Sequence, residues 1–233
     1  MMGLFCWILV LAAAATALAM TPLTEFLNEQ VDYVLQSGEL CKFSEKDGGC
    51  DELSASINMW SDAAWCCCPQ LIDGYVTNLD HGIQRTGDCA FDPRNTSVAV
   101  CELSFANLEL RYRWLLLRRN PTLEGGEYLV QPGELIEAGN LTATLTEGLG
   151  LLLLEEDVED GMHYHATSFE TSTVEIGKLV FDNSTVSCNG EVFDTNEEAF
   201  QAELRKALAE RIVEYVSGAG FLDAFNEALE VVQ

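Results

Sequence analysis

Basic residues are scarce in this chain of 233 residues, where 12 lysines and arginines stand against 38 aspartates and glutamates. The formal net charge is −26. A protein that binds nucleic acid needs a basic footprint for the phosphates, and anionic membranes attract polybasic segments. This charge balance therefore excludes nucleic acid as a partner and electrostatic docking to anionic membranes. Long apolar runs are also missing after the first twenty residues, so we expect no stable membrane insertion.

The motifs of common enzyme classes are missing too. The sequence has no G-x-S-x-G, no glycine-rich phosphate loop and no H-E-x-x-H. Of its three histidines, His163 and His165 share one face of a predicted strand, but two ligands do not make a metal site. The acidic run 155–160 lacks the D-x-D-x-D-G spacing of a calcium loop. We therefore predict a protein that is not an enzyme and that uses no metal or cofactor.

The N-terminus has the layout of a secretory signal peptide. No charged side chain precedes Glu25, and an apolar run over 4–11 leads to the small-residue ending Ala17-Leu18-Ala19. The run is too short to span a bilayer comfortably, and such an ending is typical of a cleavage site. We predict a signal peptide over 1–19 and a secreted, extracellular protein whose residues 20–233 form a single domain.

Cysteine is abundant, and its number indicates disulfides. Cleavage after residue 19 would remove Cys6 and leave eight cysteines, an even number typical of a disulfide framework in a secreted protein. They are Cys41, Cys50, Cys66, Cys67, Cys68, Cys89, Cys101 and Cys188. No pair has the C-x-x-C spacing of a zinc site. Adjacent cysteines bridge only through a strained ring, so each member of the 66–68 triplet is expected to pair with a distant partner.

Three Asn-x-Ser/Thr sequons agree with secretion. Each occurs in or beside turn-like sequence, where a glycan would face solvent. The predicted glycosylation sites are Asn95, Asn140 and Asn183.

The periodicity of apolar residues predicts helices at both ends of the mature chain. Hydrophobic residues make up 48% of the sequence, which is ample for a core. Residues 21–38, 196–218 and 221–232 have helical spacing with capping or stop signals. A weaker helical pattern over 50–65 predicts that the cysteine-rich segment 41–68 is a disulfide-stapled helical insert.

Between these helices, seven short alternating runs predict antiparallel strands in a meander. They cover 75–83, 97–105, 108–117, 140–146, 149–156, 162–170 and 173–181. In the third run the apolar face carries Leu108, Leu110, Tyr112, Trp114 and Leu116, and the polar face carries Glu109, Arg111 and Arg113. This alternation is typical of a half-buried strand, and the fold class is α+β.

Two short motifs resemble the mite group 7 allergens and related arthropod proteins. The segment 74–89 has that family's strand followed by an R-x-G-D turn, with Gly74, Asn78, Leu79, Gly82, Ile83, Arg85, Gly87 and Asp88 in the matching positions. The second motif is a T-S-F-E strand at 167–170, followed by a V-x-(I/V)-x-x-(L/I) stretch at 174–179. The resemblance extends over about 22–37 and 70–232, and the insert 41–68 departs from it.

This resemblance implies the tubular lipid-binding superfamily, which includes juvenile-hormone-binding and bactericidal/permeability-increasing proteins. Its members roll a long curved antiparallel sheet around a long C-terminal helix and hold lipid between them. The residues expected to line such a space are Val31, Leu35, Leu110, Tyr112, Trp114, Phe169, Phe200, Leu204, Leu208 and Ile212. The implied partner is an apolar small molecule or lipid.

This interpretation has two rivals. A lipocalin-like barrel would end in one helix outside the barrel and would lack an amphipathic N-terminal helix of this length. A disulfide-stapled interaction or inhibitor protein would act through its surface and have no lipid cavity. Periodicity alone does not separate a filled interior from an open one.

The cysteine pattern generates a testable prediction. We expect no titratable thiol in the native mature protein, with Cys66, Cys67 and Cys68 joined to Cys41, Cys50 and Cys188 in some order. Cys89 should then pair with Cys101 across the hairpin between them, and each bridge should contribute about 2–4 kcal/mol of stability. Peptide mapping that finds a bond within the triplet would contradict this arrangement.

Overall fold

The computed structural model describes residues 22–36, 40, 52–53, 57–58, 67–118, 121–124, 127–130, 134–157, 163–183, 185–188 and 191–232. The predicted signal peptide, Cys41, Cys50 and Cys66 lie outside these ranges. The cleavage site and the bridges of the cysteine triplet therefore stay predictions.

The described chain is α+β, as predicted. Helices are α1 (22–36), α2 (Leu79–Gly82), α3 (Glu198–Val216) and α4 (Ala219–Glu230). Strands are β1 (Glu52–Leu53), β2 (Ile57–Asn58), β3 (Cys67–Thr77), β4 (Gln84–Arg85), β5 (Ala90–Asp92), β6 (Asn95–Ser104), β7 (Glu109–Arg118), β8 (Pro121–Glu124), β9 (Glu127–Val130), β10 (Glu134–Glu156), β11 (Tyr164–Phe181), β12 (Thr185–Cys188) and β13 (Glu191–Asp194). The predictions of α1, α3 and α4 are confirmed to within a few residues at each end.

Strand β10 organises the main sheet. Its first part, 134–144, pairs with β7, and its second part, 149–155, pairs with β6 on the same edge. Strand β11 pairs along the opposite edge, and β3 extends the sheet beyond β7. All these pairings are antiparallel. The predicted simple meander is wrong in this respect, because β6 and β7 follow one another along β10.

The sequence predicted two strands where β10 runs unbroken, and β11 likewise replaces two predicted strands. The register of β10 and β11 shifts twice between Ala143 and Glu147. The buried positions of β10 have odd numbers up to Leu145, as at Leu141, and even numbers beyond Glu147, as at Leu152. A bulge inserts one residue without ending the strand. The alternation therefore breaks in the sequence while the backbone stays extended.

Two further predictions are wrong in part. The run 75–83 does not stay extended, because Asn78 adopts a left-handed conformation with φ 67° and the chain turns into α2. The helix predicted over 50–65 is not helical at its described residues, since β1 and β2 pair with β3.

The core lies between the inner face of the sheet and the helices. The α3 stripe of Leu204, Leu208 and Ile212 has no exposed surface, which confirms the predicted facing, while Phe200 and Tyr215 are half-buried at its ends. Helix α1 contributes Leu27, Val31, Val34 and Leu35 to the same cluster.

Side chains of α3 and α4 dock on the backbone of β11. Arg205 Nε donates to the Gly177 carbonyl at 3.1 Å. The Asn226 amide donates to the Ala166 carbonyl at 3.0 Å and accepts from the Ala166 N–H at 2.6 Å. These bonds give backbone groups of β11 partners outside the sheet, which makes them less available for pairing with another strand.

The R-x-G-D turn of the sequence resemblance holds α1. Arg85 forms a bidentate salt bridge with Asp32, with Nε–Oδ1 at 3.0 Å and Nη2–Oδ2 at 2.7 Å. Asn28 donates to the Asp88 carboxylate and accepts from the Cys89 N–H, each at 2.9 Å. Cys89 forms a disulfide with Cys101, as predicted. The turn is thus anchored to β6 covalently and to α1 by polar contacts.

Truncation of the α3 stripe tests this packing. Leu204→Ala should lower the free energy of unfolding by about 2–5 kcal/mol, because it removes buried methyl groups and leaves a cavity. Glu203→Ala on the exposed side of the same helix is the matched control and should change stability by less than about 0.5 kcal/mol. Urea unfolding measures both, and equal small effects would place α3 outside the core.

Candidate functional site

The inner face of β7 has the predicted orientation. Leu110, Tyr112 and Trp114 are at most 2% exposed, whereas Arg111 and Arg113 lie on the exposed face. Arg111 Nε contacts Glu109 Oε1 at 2.6 Å, and this bond with the carboxylate raises the pKa of Arg111. Both cations therefore stay outside the interior.

Tyr112 and Trp114 lie over glycines on the two strands that flank β7. A Cβ atom added to Gly74 of β3 would lie 2.1 Å from Tyr112 Cε1, and one added to Gly139 of β10 would lie 2.7 Å from Trp114 Nε1. Any side chain at either glycine would collide with the ring. The two aromatic side chains thus lean in opposite directions from β7, because β3 and β10 are on opposite sides of it.

The polar tips of both rings are buried without hydrogen bonds. The Tyr112 hydroxyl and the Trp114 indole nitrogen have no partner in the described part of the chain, and neither has the Gln30 side-chain oxygen of α1. Buried polar groups in proteins are nearly always paired. An orphaned one costs about 1–3 kcal/mol, so two orphaned donors on one apolar face are an unusual feature of a core.

The ionisation of Tyr112 is shifted so that it remains a donor. Burial raises the pKa of the Tyr112 phenol well above its ordinary value. Arg211 of α3 lowers this pKa and Glu214 raises it, and these two side chains pair with each other at 2.6 Å. A phenol is protonated at physiological pH even at its ordinary pKa, and burial extends this protonation to higher pH.

Aromatic rings continue the inner face in both directions. Trp114 packs on Phe181 at a centroid distance of 6.3 Å, and Phe181 packs on Phe200 at 6.1 Å. Phe169 contacts Phe105 and Phe221, each at 5.9 Å. Aromatic pairs of this kind bury large apolar areas with defined geometry.

All ten residues that the sequence analysis assigned to a ligand space belong to this core or pack against it. Nine are at most 4% exposed, and Phe200 is half-buried. Side chains with so little accessible surface are in contact with protein on all sides. That they contact a ligand stays a prediction.

A separate cleft of about 530 Å³ opens on the surface beside α1. Its lining is mostly polar and comprises Asp32, Leu35, Gln36, His81, Ile83, Gln84 and Arg85. Asp32 and Arg85 already satisfy one another there. The cleft therefore differs in chemistry from the apolar interior.

The asparagines of all three sequons lie on the surface. Asn95 and Asn183 are exposed, and Asn140 is exposed on β10, where its amide donates to Asp182 at 2.8 Å. Glycosylation at these sites stays a prediction. Within the described ranges, no three acidic, histidine or cysteine side chains cluster as metal ligands would, and no helix is both long and apolar enough to cross a membrane.

Sequence reasoning found the inner face but missed its polar features. It placed Tyr112 and Trp114 correctly, because alternation defines which side chains point inward. It did not identify Gln30, which the helical pattern gives no reason to single out. The lack of partners has no sequence signal, since hydrogen bonding depends on which groups of other elements come within reach.

Comparisons with known proteins give weak structural likenesses, with 14 solved chains matching, two of which are described here. No protein-family model matches the chain, and no curated protein sequence matches it significantly. Takeout 1 of Epiphyas postvittana is 12% identical with a TM-score of 0.38, covering 88% of this chain and 87% of that one. A lipopolysaccharide binding protein is 14% identical with a TM-score of 0.35, and the match covers 83% of this chain and 38% of that one. Both TM-scores are below 0.5, so neither likeness supports an inference about ligand or function.

The buried phenol predicts a pH effect on stability. A folded-state pKa above the unfolded value of 10.0 means that the unfolded chain loses its proton first. The free energy of unfolding should therefore begin to fall as the pH rises through about 10 and keep falling above it, and Tyr112→Phe should remove part of this fall. Urea unfolding at several pH values measures the effect. Arg113→Gln is a surface control, and an unchanged pH profile in Tyr112→Phe would contradict the assigned burial.

Proposed function

We propose that this protein is a secreted, non-catalytic carrier that binds an apolar, lipid-like ligand between the inner face of the sheet and helices α1 and α3. The observation that carries the proposal is the pair of buried, unpartnered donors on Tyr112 and Trp114. Natural proteins keep such conflicts mainly at functional sites, where a bound ligand or water can supply the missing partners.

The surroundings of these donors favour an apolar ligand. Leu110, Leu204 and Leu208 belong to the same buried cluster, and the described buried residues include no charged side chain. Small-molecule sites are typically apolar with a few placed polar groups. Because the net charge of −26 repels anions, we expect the ligand to be uncharged or cationic.

The wider family assignment belongs to the same proposal. A carrier of this kind matches what the sequence motifs imply, namely a mite group 7 allergen-like or juvenile-hormone-binding-like member of the tubular lipid-binding superfamily. The R-x-G-D motif has a defined contact in the structure, since Arg85 and Asp88 anchor α1. This contact gives the motif a structural role. The proposed ligand function depends on the unpaired donors of Tyr112 and Trp114, and not on the motif.

A second candidate is the disulfide-stapled interaction protein. The observation in its favour is the complete burial of Val31, Leu204 and Leu208, which leaves no open space beside them in this conformation. A carrier with these walls has to separate a helix from the sheet to admit its ligand. An interaction protein needs no such movement, because its surface does the work.

Lipid extraction separates the two candidates. We expect organic extracts of the purified protein to contain a neutral lipid near one equivalent, and neutral lipids to displace a bound hydrophobic dye with little dependence on salt. Arg113→Gln is the matched control and should leave displacement unchanged, since Arg113 lies on the outer face.

Two results would contradict this proposal. Tight binding of an anionic lipid that weakens when Arg111 or Arg113 is replaced would overturn the neutral ligand and the inner face as its site. An empty protein that binds no lipid of any class would favour the interaction protein.

A further inference from the structure

We propose that the outer face of the sheet binds a basic amphipathic helix of a partner protein. The surface concerned is an outer patch of five apolar side chains on β10 and β6, namely Leu149, Leu151, Leu153, Val98 and Val100. It lies on the opposite side of the sheet from the core. The inference therefore goes beyond the proposed carrier function and does not depend on it.

The alternation of β10 creates the outer patch. Leu152 and Leu154 have no exposed surface, and Leu149, Leu151 and Leu153 alternate with them on the other face. Leu151 is 43% exposed, and the other two are half-buried. A sheet that packs on a core with one face normally has polar residues on the face that meets water. Three successive outward leucines in the middle of a sheet depart from that pattern.

Strand β6 makes the outer patch wider. Leu153 lies opposite Val100, and Glu155 lies opposite Val98. Residues directly opposite one another share a face, with Cβ atoms about 4.5–5.5 Å apart. Both valines are half-buried. The apolar residues are therefore contiguous over two strands, and contiguous apolar surface rimmed by polar residues is typical of interaction sites.

Acidic side chains border the outer patch. Leu151 lies between Glu102 of β6 and Glu170 of β11, which are its direct neighbours in the two pairings. Glu155 follows at the end of the leucine row, opposite His165. All three glutamates are exposed. The segments 98–104, 149–155 and 165–173 contain no lysine or arginine, so this part of the sheet provides no such cation for them.

The charge of this rim determines which occupant fits. A second copy of the chain that docked by the same face would place glutamates against glutamates, and such like-charge contacts are costly. An anionic membrane is repelled for the same reason. A protein segment with lysines or arginines beside apolar residues complements both parts of the surface. Its long basic side chains cover apolar surface with their stems while their charges reach the carboxylates.

The dimensions of the outer patch fit a helix. Leu149 and Leu153 are four residues apart on an extended strand, which is about 14 Å. Apolar residues at i, i+4 and i+8 of a helix extend over about 12 Å. Glu102 and Glu170 lie on the strands at either side of β10, about 10 Å from one another, and this is roughly the diameter of a helix. A helix along β10 therefore places apolar residues on the leucines and basic residues over both glutamates.

The probe is a synthetic peptide of two L-K-K-L-L-K-L repeats, which as a helix has a leucine stripe bordered by lysines. Fluorescence anisotropy should show that it binds the intact protein and that added salt weakens the binding. A scrambled peptide of the same composition has the same charge but no stripe, and it should bind roughly tenfold more weakly. Equal binding of the two peptides would show that net charge alone attracts them, and it would overturn the inference.

Substitution of Leu151 locates the binding surface. Leu151→Thr should weaken binding of the striped peptide roughly three- to tenfold, because it removes apolar contact at the centre of the outer patch. Threonine is a good strand residue, so the sheet should remain intact. Leu135→Thr is the matched control, since Leu135 is 53% exposed on the same strand but lies outside the outer patch. The control should bind like the wild type, and equal affinities of the two variants would contradict the assigned surface.

Substitution of the rim tests the charge complementarity. Glu102→Gln and Glu170→Gln should each weaken binding roughly two- to fivefold and reduce its salt dependence. Glu203→Gln on the exposed side of α3 changes the net charge by the same amount and should leave binding unchanged. These three variants keep the test decisive if Leu151→Thr folds poorly. An equal effect of Glu203→Gln would indicate attraction to the acidic surface in general, which would overturn the inference.

Two further measurements test the other occupants. Binding of the wild type to neutral phosphatidylcholine vesicles that is lost in Leu151→Thr would assign the outer patch to a lipid surface. Self-association in sedimentation experiments that is lost in the same variant would assign it to a second copy of the chain. Either result would overturn the inference.

The outcomes also separate this inference from the carrier function. Leu151→Thr should leave the lipid content of organic extracts unchanged, because Leu151 faces away from the core. A protein that contains lipid but does not bind the striped peptide would contradict this inference alone. A protein that binds the peptide but contains and binds no lipid would contradict the carrier function alone.

Discussion

The contact of two large aromatic side chains with glycines on neighbouring strands sets the inner face of this protein. Tyr112 and Trp114 each occupy the place where a flanking residue would have a Cβ atom, at Gly74 and Gly139. The bulge at Asp73, where φ is 50°, helps to set Gly74 opposite Tyr112. Because both rings pack against the sheet, the polar end of Tyr112 lies over β3 and the indole nitrogen of Trp114 lies over β10. In the folded protein both tips are buried away from water.

The unpaired Tyr112 hydroxyl and Trp114 indole N–H cost free energy in a core whose other described contacts are stabilising. Leu204, Leu208 and Ile212 contribute burial along α3, and Arg205 and Asn226 satisfy backbone groups of β11. The unpaired tips oppose this stabilisation. Natural sequences keep such conflicts mainly where function needs them, because a single core substitution such as tyrosine to phenylalanine would remove one. The Tyr112 hydroxyl and the Trp114 indole N–H are therefore the atoms at which the proposed function can be tested.

Much of this fold could be predicted from the sequence, and the failures share a physical cause. Helices α1, α3 and α4 and the facing of β7 follow from local periodicity, which each segment carries in its own residues. The continuity of β10, the strands at Leu53 and Ile57 and the turn into α2 depend on pairing with distant segments or on a bulge. At the candidate site the alternation identified the inward residues. The glycines beneath Tyr112 and Trp114 are 38 and 25 positions away along the chain, so periodicity within one strand cannot reveal the contact.

The strong negative charge and the neutral interior are two parts of one electrostatic arrangement. The described buried residues carry no charge, so the excess of acids acts at the surface, where water screens it. The interior instead contains two unpaired dipoles, the Tyr112 O–H and the Trp114 N–H, each with a partially positive hydrogen. An anion would meet these hydrogens favourably but would lose its hydration and face the field of the whole molecule. A neutral acceptor meets the same hydrogens without either cost. For the proposed carrier, the uncharged interior and the negative charge outside both disfavour an anionic ligand.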